Sequence, residues 1–216
     1  MPGGRVAGIA FLIALGASRH DVSAHRLDEC LQAARIAIEP DHVTVDLEIT
    51  PGIAVAAAII GDIDRDGNGV LSATEQDAYA RQVLDALDLA IDGRQLTLMP
   101  AEVSVPDVAK LRQGEAAIHL RATRTFAEQS AGTHQVVFRN RYRRELSVYL
   151  ANALVPDSDR LTVTSQQREA QQHELTIGYS VRHSATAFPA AWLVTGVAAV
   201  LAILAVKPRR NSTASA

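Results

Sequence analysis

Twelve consecutive residues, Asp64-Arg65-Asp66-Gly67-Asn68-Gly69-Val70-Leu71-Ser72-Ala73-Thr74-Glu75, set oxygen-bearing groups at a spacing that suits a hard cation. Asp64, Asp66 and Asn68 put side-chain oxygens on alternate residues, so a tight turn makes them converge. Gly69 permits that turn, Val70 offers its backbone carbonyl, and Ser72 stands where a ligand often acts through water. Glu75 closes the set with two carboxylate oxygens. Calcium, which takes six to eight oxygens at about 2.3 to 2.6 Å, is the ion that this donor set fits.

This order of ligands is that of an EF-hand loop. With residue frequencies near 5 to 7%, five defined positions coincide about once in a thousand chains of this length, so accident is a poor explanation. Asp64, Asp66 and Glu75 carry three negative charges and Asn68 withholds a fourth, which points to micromolar to millimolar affinity. Ser72 and Glu75 also form a capping box for a following helix, and both roles are compatible. Leu71 is the apolar anchor that, in paired hands, lies against a sister loop. No sister loop occurs in this sequence. Asp62, just ahead of the loop, reads as a solvated charge.

The elements that must hold the loop follow from hydrophobic periodicity. Ile36 and Ile38, then Val43, Val45, Leu47 and Ile49, alternate around Pro40-Asp41 as a hairpin. Thr50-Pro51 predicts a helix start, and Ile53, Ala56, Ile59, Ile60 and Ile63 recur at helical spacing. A second, amphipathic helix is expected from about Ala73 to Leu87, making residues 51–88 a helix-loop-helix unit. Asp92-Gly93 predicts a tight turn between Leu89-Ile91 and Leu96-Leu98. Further runs at 116–122, 134–139, 148–154, 161–164 and 175–181 bring the count to roughly nine strands. The expected fold is mainly β: an antiparallel β-sandwich over residues 25–183 with the EF-hand inserted after its second strand.

Two apolar segments flank that domain. Val6–Ala17 follows Arg5 and is too short to span about 30 Å of hydrocarbon, so residues 1–24 read as a signal peptide cleaved after Ala24, with Ala17 a competing site. Residues 184–206 carry no charge and are long enough to cross a membrane; Lys207, Arg209 and Arg210 then place the 207–216 tail in the cytoplasm. The expected location is a bacterial cell membrane, single pass, with the domain outside. Cys30 is the sole cysteine, expected as a quiet, half-buried thiol with no intrachain disulfide. The net charge of -3 draws the chain to no particular partner. The one dense basic stretch, Arg139–Arg144, reads as a solvated inter-strand turn on an outward-facing domain, with no nucleic acid as partner. No phosphate loop, nucleophile elbow, zinc-protease helix or C-x-x-C occurs, and no catalytic role is expected.

The phrases His25-Arg26-Leu27-Asp28-Glu29-Cys30-Leu31-Gln32-Ala33, Ile38-Glu39-Pro40-Asp41 and Ser147-Val148-Tyr149-Leu150-Ala151-Asn152-Ala153-Leu154-Val155-Pro156 carry a family likeness. They resemble the extracytoplasmic domain of bacterial membrane proteins related to the hydrogenase- and urease-accessory nickel permeases, over most of residues 25–181. The resemblance implies a membrane permease as partner and an accessory role in nickel, cobalt or copper transport. Such permeases carry several membrane helices after the domain, whereas one is read here, and tyrosine would be expected where Cys30 stands. Cleavage after Ala24 would give His25 a free amine and imidazole able to chelate copper, nickel or zinc; the plainer reading is an unliganded N-terminal histidine. Two functional expectations result: a membrane-anchored module using calcium as a structural brace or for calcium-dependent association, or an accessory domain of a transition-metal transport system.

Overall fold

A computed structural model describes residues 28–183 of the chain. The expected signal peptide, His25, the 184–206 segment and the 207–216 tail lie outside the described residues.

Strands β1 (Cys30–Ile38) and β2 (His42–Pro51) form the predicted hairpin, but β1 begins well before Ile36. Its early half hides its alternation because Gln32, a polar residue, points inward beside Cys30 and Ala34. Helix α1 (Ala56–Ile63) starts later than Thr50-Pro51 suggests. Pro51 closes β2, a turn follows, and Ile53 is left 53% exposed instead of joining the apolar face. Without a side-chain cap, the Val55 and Ala56 N–H groups donate to the Gly52 carbonyl at 3.1 and 2.9 Å. Ala56, Ile59, Ile60 and Ile63 do form its buried stripe. Helix α2 (Ala73–Asp85) buries Tyr79, Ala80, Val83 and Leu84, and Leu87 belongs to the next strand.

The remaining elements are β3 (Leu87–Ile91), β4 (Arg94–Gln95), β5 (Met99–Ser104), α3 (Val108–Arg112), β6 (Ile118–Thr125), β7 (Gly132–Asn140), β8 (Ser147–Ala153), β9 (Leu161–Arg168) and β10 (Glu174–Val181). Asp92 and Gly93 turn β3 into β4 with φ of 50° and 80°, as a tight hairpin requires, and the Leu96 N–H donates to the Leu89 carbonyl at 2.8 Å. β5 and α3 escape hydrophobic periodicity for different reasons. β5 is exposed along almost its whole length, and α3 is a single short piece capped by Asp107.

The strands form two five-stranded sheets, β5-β6-β2-β1-β8 and β4-β3-β7-β10-β9, around a common hydrophobic core. The fold is mainly β and sandwich-like. The purely antiparallel arrangement expected does not hold, because β8 runs parallel to β1, with Leu31 opposite Val148 and Ala33 opposite Leu150. The cause is topological. β7 finishes in the second sheet at the end where β1 starts, and the 141–146 connection crosses there to the first sheet, so β8 leaves in the direction of β1.

At that crossing a buried polar network joins the sheets. Gln32 Nε2 donates to the Tyr142 carbonyl at 2.8 Å and to Ser147 Oγ at 2.7 Å. Asn140 Nδ2 donates to Gln32 Oε1 at 2.8 Å, Asn140 Oδ1 accepts the Tyr142 N–H at 3.0 Å, and the Tyr149 hydroxyl donates to the Tyr142 carbonyl at 2.9 Å. Cys30 lies beside it, fully rather than half buried, and burial pushes its thiol up to about 12.

The opposite end gathers the β1–β2 turn, the 126–131 connection and the end of β10. His134 stands there with both ring nitrogens facing acceptors: Nδ1 meets Asp92 Oδ2 at 2.7 Å and Nε2 meets the Ser130 carbonyl at 2.9 Å. Its ring stacks on Tyr179 at 5.5 Å. The bond to Asp92 raises the His134 pKa, outweighing burial. Burial pushes Asp92 up, but the bonds from His134 and from the Gln135 N–H hold it below its usual value.

Two outcomes follow. Gln32→Leu strands the buried Asn140 amide and lowers stability by about 1 to 3 kcal/mol in urea unfolding, the cost of one buried unsatisfied group. For His134 the folded pKa is the higher one, so its stabilisation is complete below the unfolded pKa of about 6.5 and is lost as pH rises through the folded value. Melting temperature, relative to a His134→Gln protein, therefore falls between weakly acidic and alkaline pH; a difference constant with pH contradicts the charged pair.

Candidate metal centre

The predicted ligand residues lie on the connection from α1 to α2, and the helix ends determine where the loop starts and stops. Asp64 caps α1, donating its N–H to the Ile60 carbonyl at 2.8 Å. Ser72 caps α2: its hydroxyl accepts the Glu75 N–H at 3.3 Å, while the Ser72 N–H and Oγ–H donate to Glu75 Oε2 at 3.0 and 2.7 Å. The capping box read from the sequence is present. Between the caps, Gly67 and Gly69 take φ of 70° and 78°, where a side chain would strain the backbone.

This reversal turns Asp64, Asp66 and Glu75 toward one another. One carboxylate oxygen from each lies within 4.8 Å of the other two. Oxygens held at about 2.3 to 2.6 Å from one ion are at most about 4.6 to 5.2 Å apart, so the spacing is compatible with a common cation. Among the described residues no other three His, Cys, Asp or Glu groups gather this closely.

Backbone N–H groups satisfy part of this charge. Asp64 Oδ2 accepts the Gly69 N–H at 3.0 Å, Asp66 Oδ1 accepts that of Asn68 at 3.1 Å, and Glu75 Oε1 accepts that of Arg65 at 3.0 Å. Asp64 Oδ1 is different: it is buried and has no hydrogen-bond partner. A buried carboxylate oxygen without a donor is costly, and a cation beside it would remove that cost. Bonds from the Ser72 hydroxyl and then the Ser72 N–H hold the Glu75 carboxyl below its ordinary pKa, so it is ionised at neutral pH.

The other predicted ligands are placed less directly. Asn68 lies against Asp66, its Nδ2 donating to Asp66 Oδ2 at 2.7 Å, while its Oδ1 accepts the Val70 N–H at 2.7 Å. The Val70 side chain is 68% exposed. Ser72 is engaged with Glu75 as described. The three carboxylates thus meet around one point, with Asn68 and Ser72 each bonded to one of them. Asp64, Asp66 and Glu75 are an acidic triad that could hold a metal ion.

Several supporting residues were not legible as such. Gln76 Nε2 donates to the Leu71 carbonyl at 2.9 Å, and Arg65 Nη2 donates to Gln82 Oε1 at 2.9 Å, tying the loop to α2. Asp62 is neither solvated nor a member of the carboxylate cluster. Its side chain is 12% exposed and accepts from the Tyr142 hydroxyl at 2.7 Å and from Arg143 Nε at 2.8 Å, with Arg143 Nη2 on its other oxygen. The 139–144 stretch is an inter-strand connection only from Arg141 on, since Arg139 and Asn140 end β7, and its charges are engaged, with Arg139 on Glu174, Arg141 on Asp88, Arg143 on Asp62 and Arg144 on His173. Only an acidic partner distant in sequence explains most of these arginines.

Among the described residues the histidines do not assemble a site. His42 meets Asp41, His119 meets Glu48, His134 meets Asp92 and His173 meets Glu169, on separate elements. No helix among the described residues is long and apolar enough to cross a membrane. Compared with known protein families, characterised proteins and solved structures, the chain matches none.

Ser72→Ala removes the hydroxyl from both directions of the cap. The expected result is a loss of about 1 kcal/mol in urea unfolding, together with a rise of the Glu75 pKa toward an ordinary carboxylate. The sign follows from the depressed folded pKa: the contribution of Glu75 is present above its unfolded pKa and is lost as pH falls through the folded one. NMR titration of the Glu75 carboxyl in both proteins checks it, and an unchanged titration would separate the hydroxyl from the pKa shift.

Proposed function

We propose that the chain is a membrane-anchored extracytoplasmic module that binds one calcium ion in the Asp64–Glu75 loop, where the ion braces the α1–α2 unit against the sandwich. The observation that carries this reading is the gathering of Asp64, Asp66 and Glu75, one carboxylate oxygen of each within 4.8 Å of the other two, with Asp64 Oδ1 buried and without a hydrogen-bond partner. A hard, oxygen-only donor set favours calcium over nickel or copper, which prefer imidazole and thiolate. The EF-hand ligand order and two positive-φ glycines support the same ion. The location rests on segments 1–24 and 184–206 of the sequence. No catalytic chemistry is assigned to the module.

Calorimetry on the full chain with calcium, magnesium, nickel and copper in parallel tests the proposal. One calcium site of micromolar to millimolar affinity is expected. At free calcium about 100 times the dissociation constant, folding gains roughly 2.7 kcal/mol, read as a higher melting temperature. Glu75→Gln should remove most of that gain. A Glu75→Gln protein with the wild-type melting temperature at every calcium level would overturn the reading, as would tight nickel or copper binding without calcium binding.

A further inference from the structure

Away from the loop, the outward face of the first sheet is divided. On β2 and β6 it carries polar side chains, among them Asp46, Glu48, His119 and Arg121. On β1 and β8 it carries Leu31, Ala33, Val148 and Leu150, paired across the parallel register, and then Arg35 opposite Asn152 at the far end. Leu31, Val148 and Leu150 are 38%, 36% and 43% exposed. Contiguous exposed aliphatic side chains on one sheet face mark an interaction surface more often than isolated ones do.

A groove of about 550 Å³ opens where this apolar half meets the polar half. Leu31, Val148 and Pro51 line it together with Glu29, Glu48 and Glu115, and no lysine, arginine or histidine does. Its charge is therefore one-signed, with His119 Nδ1 behind Glu48 at 4.0 Å.

We propose that this groove and the adjoining apolar strip dock a segment of a partner protein in which aliphatic residues are interspersed with lysine or arginine. The aliphatic side chains cover Leu31, Val148 and Leu150, and the cations meet Glu48 and Glu115. Charge decides between occupants. A second copy packed face to face about a two-fold axis would set this acidic groove close to its own image, and an anionic lipid surface would be repelled by the same carboxylates. The inference does not depend on the metal reading.

Selection of random displayed peptides on the immobilised full chain tests it. Peptides mixing lysine or arginine with aliphatic residues should be enriched, and a synthetic consensus peptide should bind more weakly as salt is raised. Val148→Asp and Glu115→Lys should each weaken that peptide by about tenfold or more, whereas Met99→Asp on β5 should leave it unchanged. Glu115 is exposed on the connection between α3 and β6, so Glu115→Lys remains informative should Val148→Asp disturb folding. No enrichment, a consensus lacking basic residues, or binding indifferent to both Val148→Asp and Glu115→Lys overturns the proposal. So does sedimentation showing that the chain covers this face with a second copy, abolished by Val148→Asp.

Discussion

Where β7 gives way to β8, the backbone of Tyr142 accepts from Gln32 and Tyr149 and donates to Asn140, while its hydroxyl donates to Asp62 at the end of α1. Its ring meets that of Tyr79 on α2 edge to face, with centroids 5.9 Å apart. One residue thus touches both sheets, through the Gln32–Asn140 network, and both helices that carry the acidic loop. Burial, followed by the neighbouring Tyr79, raises the Tyr142 phenol, so it keeps the proton that it donates to Asp62 Oδ2. The neighbouring Arg143 pairs with the Asp62 carboxylate, whose side chain is 12% exposed. The entry to the loop is thereby fixed to the sandwich two residues before its first carboxylate.

That anchoring matters because the loop gathers three carboxylates in one place. Three carboxylates brought within 4.8 Å of one another repel, and the donors turned toward them are mostly neutral backbone N–H groups and the Ser72 hydroxyl. The one nearby guanidinium, on Arg65, is directed to Gln82. Glycine at positions 67 and 69 removes steric resistance to the turn, and the Ser72–Glu75 cap holds the far end. Asp64 Oδ1 is buried there without a hydrogen-bond partner.

The difference between what could and could not be read from the sequence follows from range. The capping box, the Asp92-Gly93 turn and the apolar stripes of α1 and α2 are local patterns, and the residues that show them also perform them. β1 was seen only from Ile36 because Gln32 serves a contact 108 residues away, with Asn140, and so breaks the apolar alternation. Asp62 looked solvated because its partners lie 80 and 81 residues later. β5 lacks alternation because it is an exposed edge strand, with Pro100 at a bulge in its pairing with β6. Parallel pairing of β1 with β8 depends on where the chain crosses between sheets, which no residue pattern encodes.

The packing of the two helices also bears on what an ion in the loop can do. In a calcium sensor, binding swings the helices apart and uncovers an apolar groove. Here Ile59 and Ile63 of α1 and Tyr79 and Val83 of α2 are completely buried in the core shared with the strands. Exposing four such side chains would cost roughly 6 to 12 kcal/mol at 1.5 to 3 kcal/mol each. The stabilisation from an ion at 100 times its dissociation constant is about 2.7 kcal/mol, too little to drive that opening. The Leu71 carbonyl, which a sister loop would pair with, already accepts from Gln76. A loop closed on itself in this way could gain rigidity from a bound ion, but it has neither the free edge nor the loosely packed helices that a switch needs.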